Sequence, residues 1–462
     1  MLTNSACCGR MSEEAFWPLS VIGGRFFWEF CLLERLPSQI SISYLKRVMC
    51  SFLVINLKVR KEPKRKKASD LEYSLQREHR TTRVHFYSFY FLVFFAFGSL
   101  FPLLPVYLKD SVGLSGSQIG MIMSISPVVM ILIQPLWGIL SDMTQKPTVL
   151  LTIALSLAGI FGLVFSMTDT YIRLIAIASL LAIVQSALIP LSDSISMNYV
   201  QKTKTEYGSI RLWGAVGFAV AVMTVGQLSE VFSLSMIFYA FALILFIAVF
   251  FAYQLPNETK TMQISIREGI KELANVPRYF MFLFVAFLVM GPILANNIYF
   301  GIFVAELGGG LTGIGIAFLL AAGSEAPFMK FASSWISRLG MMNILMMATF
   351  ISILRWFLYF LEPPLGVVYV TTIAQGLSVG LFIPAALQYV RDLAPISVGA
   401  TAISLYSSVG NGLGNWFCTF FGGLILEGFS ILYVYLFFGI LSTIALAVLA
   451  IMNIRMRKAA PE

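Results

Sequence analysis

The sequence predicts an all-α membrane protein of twelve transmembrane helices in two six-helix bundles, and three observations predict it. Of the 462 residues 58% are hydrophobic and only 12% are charged, whereas a soluble domain carries about a quarter charged residues. Mean hydropathy is +0.83. A hydrocarbon core ~30 Å thick takes about 20 apolar residues per helix, which leaves room for roughly a dozen spans. From Phe86 onward apolar windows recur with short breaks, the pattern of successive spans.

The windows predict spans over 86–107, 117–140, 148–167, 171–197, 207–228, 233–254, 279–304, 312–336, 341–361, 366–389, 397–424 and 430–454. The longest internal break, Gln254 to Pro277 (QLPNETKTMQISIREGIKELANVP), follows the sixth span. It divides the chain into a first bundle over 86–254, a cytoplasmic central loop over 255–278 and a second bundle over 279–462.

Residues 1–85 differ from the rest. Their longest apolar run, Val48 to Leu57, is cut off by Lys58 and Arg60 and is too short to span. Phe16 to Leu33 is interrupted by Arg25 and Glu29, so it is no signal-peptide core. The segment KVRKEPKRKKASD is a solvated basic run. The favoured reading of this leader is translation from a start codon upstream of the true one; a genuine cytoplasmic leader is the competing one.

Charge is distributed unevenly. The formal net charge is +9, of which residues 1–85 supply +7 and residues 86–462 only +2. A basic tail before a first span is a topology signal rather than a nucleic-acid signal. With the leader in the cytoplasm, Lys146, Lys202, Lys204, Lys260, Arg267, Lys271, Arg338, Arg391, Arg455, Arg457 and Lys458 fall on that side. The opposite loops carry Lys109, Arg173 near a helix start, and the acids Asp110, Asp169, Glu230, Glu306, Glu362 and Glu427. This positive-inside bias places both termini in the cytoplasm of a multi-pass protein of the cell membrane. Four of five cysteines (Cys7, Cys8, Cys31, Cys50) sit in the leader, with Cys418 beyond it, so no disulfide framework or metal spacing is present. Both histidines, His79 and His85, precede the first span.

Several motifs carry a family resemblance. The junction GILSDMTQKP after the second span has Gly138 and Asp142, with Met143 where a basic residue is usual; it resembles the gate motif of the major facilitator superfamily. The second half keeps only an echo of it in SWISRLGMMN. The fifth span opens with YGSIRLWGAVGF, and PLLPVYL, PLSDS, GSEAPFM and GATAISLYSSVGNGLG follow in the order of spans one, four, eight and eleven. Together these resemble the lactose permease and its oligosaccharide, nucleoside and phenylpropionate permease relatives, over essentially all of residues 86–462. The resemblance implies a major facilitator fold and alternating access by rocking of two halves. The glycines of the eleventh span suit either close packing or such a rocking role.

Ionisable residues inside spans are costly and face a cavity or a partner. Five remain once loops are set aside: Asp193, Arg211, Glu325, Lys330 and Arg355. At ~1.5 Å per helical residue, Glu325 and Arg355 lie roughly 20 Å deep, near the midplane. Lys330 is near enough to the cytoplasm to snorkel. By resemblance, Arg211 falls on the permease's essential arginine of the fifth span and Asp193 on its acid of the fourth. Phe218 replaces the tryptophan that stacks on sugar, Glu325 matches the eighth-span acid, and Arg355 the ninth-span arginine. These imply substrate binding by Arg211, Asp193 and Phe218, with a gate salt bridge as the alternative for the Asp193–Arg211 pair. The family's titrating His and Glu of the tenth span fall on Gln375 and Ser378, so proton coupling is expected at Glu325, opposed by Arg355.

The resulting expectation is a permease that moves a small organic solute (sugar, nucleoside or aromatic acid) by proton symport. The alternatives are an uncoupled facilitator, an exporter, or a membrane sensor using the leader as its output. Expected partners are the small-molecule substrate, a proton and membrane lipid, with no nucleic acid, cofactor or metal, for a chain acting as a monomer. No nucleophile–base set or phosphate loop points to an enzyme. Reporter fusions after Lys146 and after Lys458 are expected to score cytoplasmic, and one after Asp110 external. A cytoplasmic score after Asp110 would break the twelve-span topology.

Overall fold

The computed structural model describes residues 68–203, 207–256, 273, 276–395 and 399–459. The leader up to residue 67 and nearly all of the central loop lie outside the described residues. Tyr73–Glu462 form one compact unit. Among the described residues all regular structure is helical, as it must be where no water satisfies backbone groups.

Among the described residues eleven helices are long and apolar enough to cross a membrane: Thr81–Asp110, Gly116–Ser141, Pro147–Ser166, Tyr171–Val200, Tyr207–Val231, Met236–Tyr253, Pro277–Glu306, Gly310–Leu339, Met341–Phe360, Leu365–Leu393 and Ile431–Met456. The expected eleventh span is present in three consecutive pieces, an α-helix Gly399–Ser407, a π-helix Ser408–Gly414 and an α-helix Asn415–Gly428. This completes twelve. The break falls on Gly410, Gly412 and Gly414, all buried, where little side chain opposes the wider π turn. Prolines 127, 135, 190, 292, 327 and 384 lie inside helices, each removing one backbone donor from its ladder.

Two helix pairs join the bundles. The fifth span packs on the eighth, and the second packs on the end of the eleventh, while the third and sixth, and the ninth and twelfth, pair within their own halves. Side-chain contact across the join continues to mid-length, where Gly412 meets Ile131, and the closest backbone approaches lie toward the end carrying Lys109 and Glu306. There a Cβ on Gly120 would sit 2.7 Å from the Gly423 Cα, and one on Gly315 would sit 2.7 Å from the Met223 Cα. Only glycine permits such backbone contact. At the opposite end, which carries Arg211, added Cβ atoms on Gly138, Gly208, Gly323 and Gly399 would meet nothing within 4 Å. The halves are closed at the Lys109 end and parted at the Arg211 end.

Three carboxylates fasten the closed end. Glu427, ending the eleventh span, accepts the Ser117 N–H at 2.9 Å and the Ser115 hydroxyl at 3.0 Å, capping the start of the second span. Glu230, ending the fifth span, accepts the Thr312 N–H at 3.2 Å and also the Thr312 hydroxyl, capping the start of the eighth. A carboxylate at a helix N-terminus satisfies orphan donors and meets the positive end of the dipole. The two caps are equivalent: each joins the fifth helix of one half to the second helix of the other. Lys109 pairs with Glu306 between them, again across the halves. Replacing both Glu230 and Glu427 by Gln is expected to loosen this end. Spin labels at positions 111 and 362, in a background without native cysteines, should then show an added population at longer distance. An unchanged distance distribution would mean that the glycine contacts alone hold the seal.

Candidate functional site

Asp193 on the fourth span and Arg211 on the fifth come together on the open side of the first bundle. The Arg211 Nη1 lies 3.9 Å from Asp193 Oδ1, with side chains 41% and 33% exposed. That is near enough to attract and too far for a hydrogen bond. Asp193 Oδ1 instead accepts the hydroxyls of Tyr90 at 2.7 Å and Tyr207 at 2.8 Å. Ser196 donates in turn to the Tyr90 oxygen at 3.0 Å. Arg211 Nη1 is buried and meets no acceptor, while its Cζ stands 4.3 Å over the Phe94 ring. Tyr90 and Phe94 stack at 6.2 Å with an interplanar angle of 13°. Phe89, Tyr90, Val93, Phe94, Ile189, Ser192, Asp193 and Arg211 line a shallow recess here.

The arrangement offers a planar guanidinium fork, a carboxylate and two phenol hydroxyls beside aromatic faces. Because Asp193 and Arg211 belong to the same bundle, their attraction cannot fasten one half to the other. The phenols already occupy Asp193, so the guanidinium remains open to a polyhydroxyl or carboxylate ligand.

Phe218 lies elsewhere. Its ring meets Phe318 of the eighth span edge-on at 6.2 Å, lining the join between the halves, and the ring under Arg211 is Phe94. Tyr90, Tyr207 and Phe94 escaped the sequence reading. Tyr207 stands four residues before Arg211, one helical turn away, which was the available signal.

Glu325 is half-buried at mid-length in the eighth span. The expected opposition between Glu325 and Arg355 is not formed. Among the described residues Glu325 forms no ion pair, and the basic side chain of the opposite half that lies toward it is Arg211. The reason is packing: the eighth and ninth spans both lie against the tenth, and touch each other little. Arg211 has its near carboxylate, Asp193, on its own bundle.

Arg355 is buried in the second bundle at 3% exposure. Its Cζ lies 4.1 Å from the Trp356 ring and 5.7 Å from that of Tyr359, and among the described residues it forms no ion pair. Cation–π contact returns up to about 2 kcal/mol, against several kcal/mol for taking an ion out of water. Gln375 and Ser378 are buried nearby on the tenth span: the Gln375 side chain accepts from Asn296 at 3.5 Å, and the Ser378 hydroxyl donates to the Gln375 carbonyl at 3.1 Å. Lys330 is exposed, as snorkelling requires. Of the gate motif, Gly138 is exposed near the end of the second span, which is capped by Gln145 at φ 55°; the Asp142 side chain lies outside the description.

The model of the MFS_1 like family matches residues 84–437. The maltose permease of Geobacillus stearothermophilus is 50% identical over 375 residues, covering 81% of this chain and 95% of the permease. An uncharacterized transporter, YwbF, of Bacillus subtilis strain 168 is 46% identical over 355 residues, 77% of this chain and 89% of its own. Among solved structures, the nucleoside transporter NupG superposes with a TM-score of 0.72 at 18% identity, over 80% of this chain and 99% of that one. An inward-facing, unoccupied bacterial homologue of the lysosomal transporter Spinster gives 0.62 at 14% identity, over 80% and 96%. These are transporters rather than enzymes, and the fold they share is the major facilitator fold.

Arg211→Lys keeps the charge but loses the planar fork. It is expected to leave folding intact and weaken solute binding about ten- to a hundred-fold, as loss of a charge-assisted hydrogen bond of about 1.5–3 kcal/mol implies. Calorimetric titration measures this directly; wild-type affinity in the variant would remove Arg211 from recognition.

Proposed function

The chain belongs to the MFS_1 like family of membrane transporters, and on that premise we propose that it imports a maltose-type oligosaccharide by proton symport across the cytoplasmic membrane. The observation that carries the reading is the 50% identity to a maltose permease, extending over 95% of that permease. The geometry supports it. A sugar presents hydroxyls at its edge and C–H groups on its faces, and Arg211, Asp193 and Tyr207 stand beside the rings of Tyr90 and Phe94. A hydrogen-bonding edge against an aromatic face is how such a ring is held. Phe218 would extend the apolar wall toward the second half.

Alternating access supplies the motion. In this reading residues 86–254 and 279–462 rock as two bundles about the sugar, joined by the loop over 255–278, in a monomer surrounded by lipid. The closed Lys109 end faces outside and the open Arg211 end faces the cytoplasm, with both termini, in keeping with the loop charges.

Coupling would run through Arg211. Its guanidinium has Asp193 at 3.9 Å on its own half and lies toward Glu325 across the join. With sugar engaging Arg211, Glu325 travels with a proton as its neutralising partner; with sugar gone, Arg211 takes the proton's place. Gln375 and Ser378 are neutral, which favours an uncoupled facilitator as the second reading, and one variant separates the two. Cells producing the full chain are expected to accumulate labelled maltose, and Glu325→Gln to abolish accumulation while maltose counterflow persists. Undiminished uphill uptake by Glu325→Gln would remove Glu325 from coupling. Absence of both uptake and counterflow in the wild type would end the maltose reading.

A further inference from the structure

The second bundle holds a cation for which the transport cycle above has no use. A guanidinium carries five N–H donors and no acceptor, and stays charged at any pH the protein meets. In Arg355, 3% exposed, Nε and Nη1 meet no protein acceptor among the described residues. Trp356, stacked 4.1 Å from the Arg355 Cζ and fully buried, has an Nε1–H that is likewise unmet. Two adjacent, stacked side chains therefore bring three unmet donor nitrogens and one full positive charge into the same part of the core.

Among the described residues no carboxylate pairs with Arg355; the one that acts on its neighbour Tyr435, Glu306, is paired with Lys109. The ionisable groups close to Arg355 are the phenols of Tyr359 and Tyr435. The Tyr359 hydroxyl is engaged with Thr371 at 3.1 Å, and that of Tyr435 donates to Asn296 Oδ1 at 3.3 Å. Asn296 is fully buried and donates to Gln375 at 3.5 Å. The neighbourhood is polar, neutral and walled by aromatic rings, with Trp356, Tyr359 and Tyr435 each 0% exposed.

Charge and donor count err in the same direction, so a neutral acceptor would answer only half of the imbalance. We propose that Arg355 and the Trp356 Nε1–H bind a small monovalent inorganic anion of the chloride class within the second bundle. With the surrounding rings fully buried, a monatomic anion fits the site better than a sugar or an organic acid. The anion is a structural partner of the bundle, distinct from the solute held at Arg211.

The test compares melting temperatures of the purified full chain in sodium chloride and in sodium gluconate at equal ionic strength. An anion bound to the native state raises Tm in a saturable way. Chloride and bromide are expected to raise Tm by a few degrees over gluconate, and Arg355→Met to abolish the difference. Trp356→Phe, which removes one donor but keeps a ring, is expected to weaken the apparent chloride affinity about ten-fold, and it serves where Arg355→Met does not fold. Equal Tm of the wild type in chloride and gluconate would overturn the proposal. So would a chloride effect that survives undiminished in Arg355→Met, or in Trp356→Phe. The comparison is made without sugar, so a failure of the maltose reading would leave its outcome unaffected.

Discussion

Hydrocarbon solvates neither a peptide group nor a charge, and that constraint governs every feature of this chain. It forces the backbone into helices that satisfy their own donors and acceptors. It also turns each ionisable side chain within a span into a question with few answers: a water-filled opening, a partner, or the membrane surface. Lys330 reaches the surface. Asp193 and Arg211 stand on an opening between the halves, about a third exposed or more. Arg355 alone of the basic residues in the spans is driven into the core, against rings instead of a carboxylate. Burial, more than depth, separates their roles.

The spans were legible because hydropathy is a one-dimensional signal and the bilayer reads it in one dimension. Azimuth was not. Counting residues gives the height of Glu325 and Arg355 but not the helix that stands between them, and the tenth span does. Glu325 therefore turns toward the opposite half rather than toward Arg355. The first span hid its contributions for another reason. It is aromatic almost throughout, FYSFYFLVFFAF, and no periodicity distinguishes Tyr90 and Phe94 from rings that only pack. The glycines of the eleventh span signalled close approach, and Gly423 against Gly120 is such a contact. Their second consequence, a π turn over Ser408–Gly414, depends on hydrogen-bond register, which composition does not encode.

The acids at the Lys109 end show how the same residue type changes meaning with position. Read as loop charges, Glu230, Glu306 and Glu427 only help to orient the chain. In the fold, Glu230 and Glu427 cap helix starts across the join and Glu306 pairs with Lys109. These contacts lie at the rim, where water can replace a lost partner. Such exchange costs little, so they can hold the halves closed without locking them. The glycine contacts beneath them add closeness but no directional bond.

This division of labour leaves the two halves chemically unequal despite their common architecture. The first bundle presents Asp193 and Arg211 to the opening, where in the proposed reading a solute with hydroxyls would engage the guanidinium. The second bundle contributes a single half-buried carboxylate, Glu325, to that same opening and keeps its own arginine sealed behind Trp356, Tyr359 and Tyr435. A charge sealed in this way cannot exchange partners as the halves move, so it is unsuited to coupling. What it can do is fix the ninth and twelfth spans through a stack of rings, Trp356 on Tyr435 at 5.8 Å and 22°. The second bundle would then, in the proposed cycle, move as one piece and carry Glu325 with it. In the proposed cycle the rigidity of one half is what allows a single guanidinium in the other to register the difference between a proton and a sugar.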